Sequence, residues 1–188
     1  MRVTDIIQGS KEWHQFRRTH IGASDASIIM GLNPWRSISQ LWEEKIFGWE
    51  QETNDKMKAG NEMEHEARKC YQSLTNLCVN PLVCEDEIYP FLSASFDGIT
   101  EDLSHAVEIK CGKGSHRMAS NGRIPAYYMC QLHHQMMIAN LKEIDYFSYS
   151  KEDYYWMNLK RDDDFINKMI AKEIEFWNNV LNSMPPEN

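Results

Sequence analysis

Two carboxylates and an ammonium lie close together in the middle of the chain. Asp97 falls in "SASFDG", and Glu108 and Lys110 fall in "AVEIKC". Successive side chains of a strand alternate between faces, so Glu108 and Lys110 share one. Ile109 points the other way, into a core, while its main-chain carbonyl still faces the edge beside Glu108. Asp97 reads as part of a tight Asp-Gly turn a short loop away. If that turn lies beside the strand, Asp97, Glu108 and the Ile109 carbonyl offer hard oxygen ligands to one divalent cation. Mg²⁺ prefers such ligands and keeps several waters. The cation lowers the pKa of a bound water and makes it a nucleophile. Lys110 could orient or deprotonate that water, or stabilise charge developing on a phosphate. This is the chemistry of phosphodiester hydrolysis. The same residues also fit a surface ion pair on a half-exposed strand, and three residues alone do not decide between the two.

The elements around them follow from periodicity. Ser10 can cap a short helix with Trp13, Phe16 and Arg17 at helical spacing. Ser24 begins a second, "SDASIIMG", stopped by Gly31. Ser37 and Gln40 form a capping box ahead of Leu41, Trp42 and Ile46. A longer helix is expected from about Asp55 to Leu77, with Ala59, Met63, Ala67, Cys70 and Leu74 inward. "VCEDEIYP", "FLSASFDG" and "AVEIKC" read as three strands. Pro125 can open a helix to about Asn140, with Met129, Leu132, Met136 and Ala139 at core spacing. "IDYFSYS" and "DYYWMNLK" are two more strands. Asp162 to Asp164 open a last helix with Phe165, Met169, Ile170, Ile174, Trp177 and Leu181 inward. The order predicts an α/β fold with a small mixed central sheet flanked by helices.

The 188 residues fit one domain, 1–188, with 42% hydrophobic and 26% charged residues. No apolar run approaches the ~18 residues of a membrane span. "MRVTDIIQGSKEWHQ" has no apolar leader segment, and a cytoplasmic protein is expected. Five cysteines without a CxxC suit reduced, mostly buried thiols better than disulfides, zinc or iron–sulfur ligation. The formal net charge of -8 gives no global basic footprint for nucleic acid. Two local basic clusters exist: Lys110, Lys113, Arg117 and Arg123, and Arg17, Arg18 and His20. On charge alone both fit solvated faces. Trp35 and Trp49, in loop-like contexts, fit loop packing or stacking on unpaired bases. His133 and His134 are adjacent on a helix and so do not share a face, which argues against a paired metal site.

Four segments resemble, in order, the phage lambda exonuclease and YqaJ-type viral recombinase nucleases of the PD-(D/E)XK superfamily. They are "EWHQFRRTHIGASDAS", "AGNEMEHEAR", "SASFDG…VEIKC" and "AYYMCQLHHQMMIAN". The resemblance covers about Ser10 to Tyr149. Phe96 stands where the family's core Asp is usually preceded by Pro.

The resemblance implies a PD-(D/E)XK restriction-endonuclease-like core. It implies Asp97, Glu108 and the Ile109 carbonyl as metal ligands and Lys110 as the catalytic lysine. Glu64 would be the helical Glu near the metal, with Glu62 and Glu66 as rivals in register. Gln131 would be the helical Gln, with Gln135 one turn later as its rival. Arg17, Ser24 and Ser95 would bind phosphate, and Arg36 matches a further basic residue if one residue is inserted nearby. The implied activity is a Mg²⁺-dependent DNA exonuclease, with Mn²⁺ able to substitute, resecting double-stranded DNA ends 5′ to 3′ in phage-type recombination. The alternatives are a structure-dependent endonuclease of the same superfamily and a non-catalytic DNA-end-binding module. A homo-oligomer, most simply a trimer, a single-strand annealing protein as partner, no membrane association and a bacterial host cell with phage or prophage origin are implied on the same grounds.

Overall fold

Small and apolar residues alternate with Ser95 and Asp97 along Leu92–Thr100, and this segment becomes the axis of the sheet. The computed structural model describes the backbone of residues 1–48 and 55–186, and their side chains except those of 55–62. Trp49 lies outside the described residues, as do the side chains of Ala59 and Glu62. The strands are β1 (Arg2–Thr4), β2 (Ile21–Gly22), β3 (Val79–Glu85), β4 (Leu92–Thr100), β5 (Ala106–Lys110), β6 (Glu143–Tyr149) and β7 (Tyr154–Lys160). The helices are α1 (Lys11–Arg18), α2 (Ala26–Ile29), α3 (Ile38–Phe47), α4 (Asp55–Thr75), α5 (Lys113–Ala119), α6 (Ala126–Ile138) and α7 (Asp163–Leu181).

The seven strands form one mixed sheet in the order β1-β3-β4-β5-β6-β7, and β2 pairs with β4. Most pairs are antiparallel; β5–β6 and β2–β4 are parallel. The parallel step from β5 to β6 needs a crossover, and α5 and α6 provide it. Ile21, Leu92, Ala94, Phe96, Leu132, Met136 and Phe176 belong to the larger core cluster. Ala67, Tyr71, Val79, Val107, Ile109 and Phe147 form a second cluster around α4. Ile109 is therefore a core residue, as the alternation predicts. The mixed α/β architecture with helices around a small sheet is the predicted one.

Several local expectations change. Asp97-Gly98 is not a turn: both residues lie inside β4. Gly98 is required there because a Cβ would come within 2.8 Å of Val79 Cγ2 and 2.9 Å of Val107 Cγ1. The chain instead reverses at residues 101–105, with Leu103 at φ 61°. The strand expected at 83–90 starts at Val79 and ends at Glu85; Pro81 falls where the β3–β4 register shifts, a position that needs no ladder N–H. Ser24 does not begin the second helix; Asp25 is its N-cap residue. On α7 the buried stripe is Ile166, Met169, Glu173 and Phe176, and Leu181 is exposed. Leu74 of α4 is exposed as well, and Tyr71 takes its expected place in the core. The strands β1 and β2 and the helix α5 were not expected, because two or three residues, or seven with a glycine among them, carry no readable period.

Candidate active site

The site lies where β4 and β5 part. The two strands pair only at Gly98↔Val107 and Ile99↔Ala106. One step further the register would set Asp97 against Glu108. There the ladder stops, and the Asp97 side chain takes over: its Oδ2 accepts the Ile109 N–H at 2.8 Å. The first residues of β4 pair instead with β2. The fork between the diverging strands holds both carboxylates.

Glu108 is 1% exposed, so its charge must be compensated by neighbours. Its Oε1 accepts from Gln131 Nε2 at 2.6 Å and from the Lys110 ammonium, and its Oε2 accepts from Gln135 Nε2 at 2.6 Å. Gln131 and Gln135 stand one helical turn apart on α6, so both amides reach one carboxylate. Both rivals are therefore site residues. Gln135 also donates to the Ser95 carbonyl at 3.0 Å, and its Oε1 is a buried acceptor with no hydrogen-bond partner.

Charge accumulates here. Burial, then the Glu108 and Glu64 carboxylates, hold the Asp97 carboxyl well above the usual carboxylate range, against the pull of Lys110. Burial also raises Glu64, with Glu108 adding to it and Arg68 opposing. Burial alone would lower the Lys110 pKa, but the Glu108 and Asp97 carboxylates outweigh it and push the value up. Lys110 is thus held as an ammonium, packed 4.9 Å from the centre of the Tyr128 ring. A cation held there can stabilise a developing anion. The crowding of negative charge that raises the Asp97 and Glu64 carboxyls is of a kind that a divalent cation relieves.

Glu64 sits close enough to be felt by Asp97 and Glu108, but Arg68 holds it: Arg68 Nη2 donates to Glu64 Oε1, and Arg68 Nε donates to the Asp97 carbonyl at 2.5 Å. Among the described residues no three His, Cys, Asp or Glu side chains form a metal-holding group. The expected ligand set, two carboxylates and one main-chain carbonyl, needs no third such side chain. The hard oxygens of the fork fit a Mg²⁺ or Mn²⁺ ion by donor type. Glu66 faces elsewhere and accepts from the Tyr149 hydroxyl at 2.9 Å.

Three of the four residues expected to bind phosphate are brought together. Arg17 Nη2 donates to Ser24 Oγ at 2.9 Å. The Arg17 guanidinium lies 4.7 Å from the centre of the Trp13 ring, and Trp13 Nε1 donates to Ser95 Oγ at 2.9 Å. Trp13 is the link between Arg17 on α1 and Ser95 on β4. Behind this group Asp25 and Lys45 form a buried ion pair at 2.8 Å, and Lys45 also donates to the Arg17 carbonyl at 2.7 Å. Burial would raise Asp25, but Lys45 and Arg17 bring its pKa below the usual value. Its carboxylate is paired with both of these cations. Arg36 is different. Its guanidinium pairs with Glu44, and it lines a separate cavity of about 630 Å³ with Ile28, Ile29, Pro34 and Lys172. Among the described residues Arg36 makes its ion pair with Glu44, apart from the group of Arg17, Ser24 and Ser95.

Other candidates resolve as packing. His134 bonds Glu173 and the Ser93 carbonyl, while His133 packs on Phe165, so they do not converge. His14 meets Trp13 edge-on. Lys113, Arg117 and Arg123 are exposed. All five cysteines are free thiols; Cys84 and Cys130 are buried, Cys70 and Cys111 partly so, and Cys78 is exposed. Sequence reasoning missed Arg68, Trp13 as a bridge, Tyr128 and Lys45. Arg68 carried a signal, four residues after Glu64 on one helix face. Lys45 carried none.

Comparison with known proteins identifies the family and the fold. The YqaJ-like viral recombinase domain matches residues 12–142. The uncharacterised protein YqaJ of Bacillus subtilis is 28% identical over 185 residues, and the chain spans 58% of that relative's length. The alkaline exonuclease LHK-Exo from Laribacter hongkongensis has the same fold, with a TM-score of 0.80, 24% identity and coverage of 93% of this chain and 94% of that one. A phage-related exonuclease from Haemophilus somnus follows at a TM-score of 0.67 and 16% identity, covering 90% and 98%. With residues 12–142 matched, the chain belongs to the YqaJ-like viral recombinase domain family.

Proposed function

We propose that the chain is a single-domain, metal-dependent deoxyribonuclease, and most specifically a 5′-to-3′ exonuclease acting on double-stranded DNA ends. The observation that carries this reading is the β4–β5 fork, where Asp97 and Glu108 meet beside a protonated Lys110. Family membership and a fold shared with exonucleases support it.

In this reading Asp97, Glu108 and the Ile109 carbonyl hold Mg²⁺, or Mn²⁺ in its place. The bound ion supplies an activated water and neutralises phosphate charge. Gln131 and Gln135 would fix the Glu108 carboxylate that holds the ion. Lys110 stabilises charge that develops on the scissile phosphate. Glu64, oriented by Arg68, would accept hydrogen bonds from water near the ion. Arg17, Ser24 and Ser95 hold a terminal 5′-phosphate, which makes cutting exonucleolytic and sets its direction. Arg36 is left out of this group. The reading further takes the protein as a trimer working with a single-strand annealing protein in the cytoplasm of a bacterial host. A closed ring would let an acidic chain stay on DNA without a large basic surface. No helix among the described residues is long and apolar enough to cross a membrane.

The test is a metal-titrated digestion of linear and circular DNA by wild type, Asp97→Asn and Glu108→Gln. Cutting of linear DNA only, abolished in both variants, is the expected result. Cutting of circles would favour the endonuclease, and binding without cutting would leave an end-binding module. Light scattering that gave the 22.1 kDa monomer at all concentrations would remove the trimer.

A further inference from the structure

Trp35 is 67% exposed on the loop between α2 and α3, an unfavourable place for the largest apolar side chain. The loop is nevertheless fixed. Asn33 Oδ1 accepts the N–H groups of both Trp35 and Arg36 at 3.0 Å, an Asx turn that fixes the backbone carrying the indole. Trp35 meets Tyr127 at the start of α6, with ring centres 4.8 Å apart and planes at 71°. Such edge contact leaves most of the indole in solvent. Tyr127 meets Tyr128 at 4.5 Å, and Tyr128 lies 4.9 Å from the Lys110 ammonium. A row of three rings therefore runs from the surface to the fork.

We propose that Trp35 and Tyr127 form a stacking site for an unpaired nucleobase adjacent to the phosphate handled at the fork. This rests on the nuclease reading above. The ligand class follows from two facts of the row: its outer member offers a flat apolar surface, and its inner end is a cation beside carboxylates suited to a metal. A nucleotide strand has both matching parts, an aromatic base and a phosphate. The neighbouring Arg36 is neutralised by Glu44, so this loop contributes a ring rather than a free charge. Every base has a π-face, so the site is indifferent to sequence and suits an enzyme that must accept every nucleotide in turn.

The experiment uses the whole chain in EDTA, where binding proceeds without cutting. The probe is a 5′-phosphorylated duplex with a two-nucleotide 5′ overhang bearing the fluorescent base 2-aminopurine, or an abasic residue at the same place. Wild type should quench the fluorophore and bind the probe roughly tenfold more tightly than Trp35→Ala does. Tyr127→Ala should weaken both, Trp35→Phe should retain most of both, and the abasic probe should bind wild type and Trp35→Ala alike. Equal quenching and affinity for wild type and Trp35→Ala would overturn the stacking site. Metal-dependent cutting of linear DNA by wild type, measured beside it, keeps the nuclease reading standing in that case. A wild type that neither binds nor cuts would overturn both.

Discussion

Gln135 Nε2 lies 2.6 Å from Glu108 Oε2 and 3.0 Å from the carbonyl of Ser95, so one buried amide ties α6 to both strands of the fork. Removing a partner from a buried charged acceptor costs about 1–3 kcal/mol or more. Gln135→Ala should lower the unfolding free energy by at least that and reduce cutting as well. Gln131, half-buried, should cost less stability. Urea unfolding of the two variants measures the order; a larger loss at Gln131 would contradict it.

Lys110→Ala should cut turnover by roughly 10²–10³-fold, the usual worth of a preorganised charge at a developing anion, while DNA binding persists. Single-turnover rates at saturating DNA separate the two. An unchanged rate would reduce Lys110 to an ion-pair partner of Glu108.

Asp25 and Lys45 are both buried and bonded to each other. Lys45→Met would leave the buried Asp25 with the Gly22 N–H at 3.0 Å and the more distant Arg17, at 3.7 Å. Breaking such a pair costs about 3–5 kcal/mol, whereas replacing both partners by apolar residues is often near neutral. The double variant Asp25→Leu/Lys45→Met should therefore be more stable than the single one. It should also lose the preference for 5′-phosphorylated over 5′-hydroxyl ends, because Arg17 is then tethered only by Trp13 and Ser24.

Gly98→Ala would drive a methyl into Val79 and Val107. Overpacking of this kind costs about 1–3 kcal/mol. The neighbouring Asp97 should shift with the strand, so the variant should need more Mg²⁺ for half-maximal cutting. Wild-type stability and metal dependence together would refute the close packing.

His134 Nδ1 and Glu173 Oε1 lie 2.8 Å apart, fully buried. Burial alone would lower the His134 pKa, but Glu173 outweighs it and holds the value above the ordinary 6.5. Folding thus favours the protonated ring. Its contribution to stability is complete below pH 6.5 and is lost as pH rises through the raised value. The melting temperature of wild type should fall over that range by more than that of His134→Gln. Parallel curves would show that the pair does not titrate in the native state.

The sequence by itself determined the period of each long element, the pairing of Glu108 with Lys110 on one strand face, and the order of four segments that mark the family. These are local properties, carried by residues a few positions apart. Only the tertiary structure decided that Asp97 sits within a strand, because Gly98 is demanded by Val79 and Val107 from neighbouring strands rather than by a turn. Likewise, both Gln131 and Gln135 reach Glu108 because α6 crosses the fork at a particular height. Arg36 goes to Glu44 rather than to Arg17, Ser24 and Ser95, since a long side chain pairs with whatever the fold sets beside it. The join of Arg17 to Ser95 through Trp13 spans 82 residues of chain between Trp13 and Ser95, a distance at which spacing in sequence carries no geometric information.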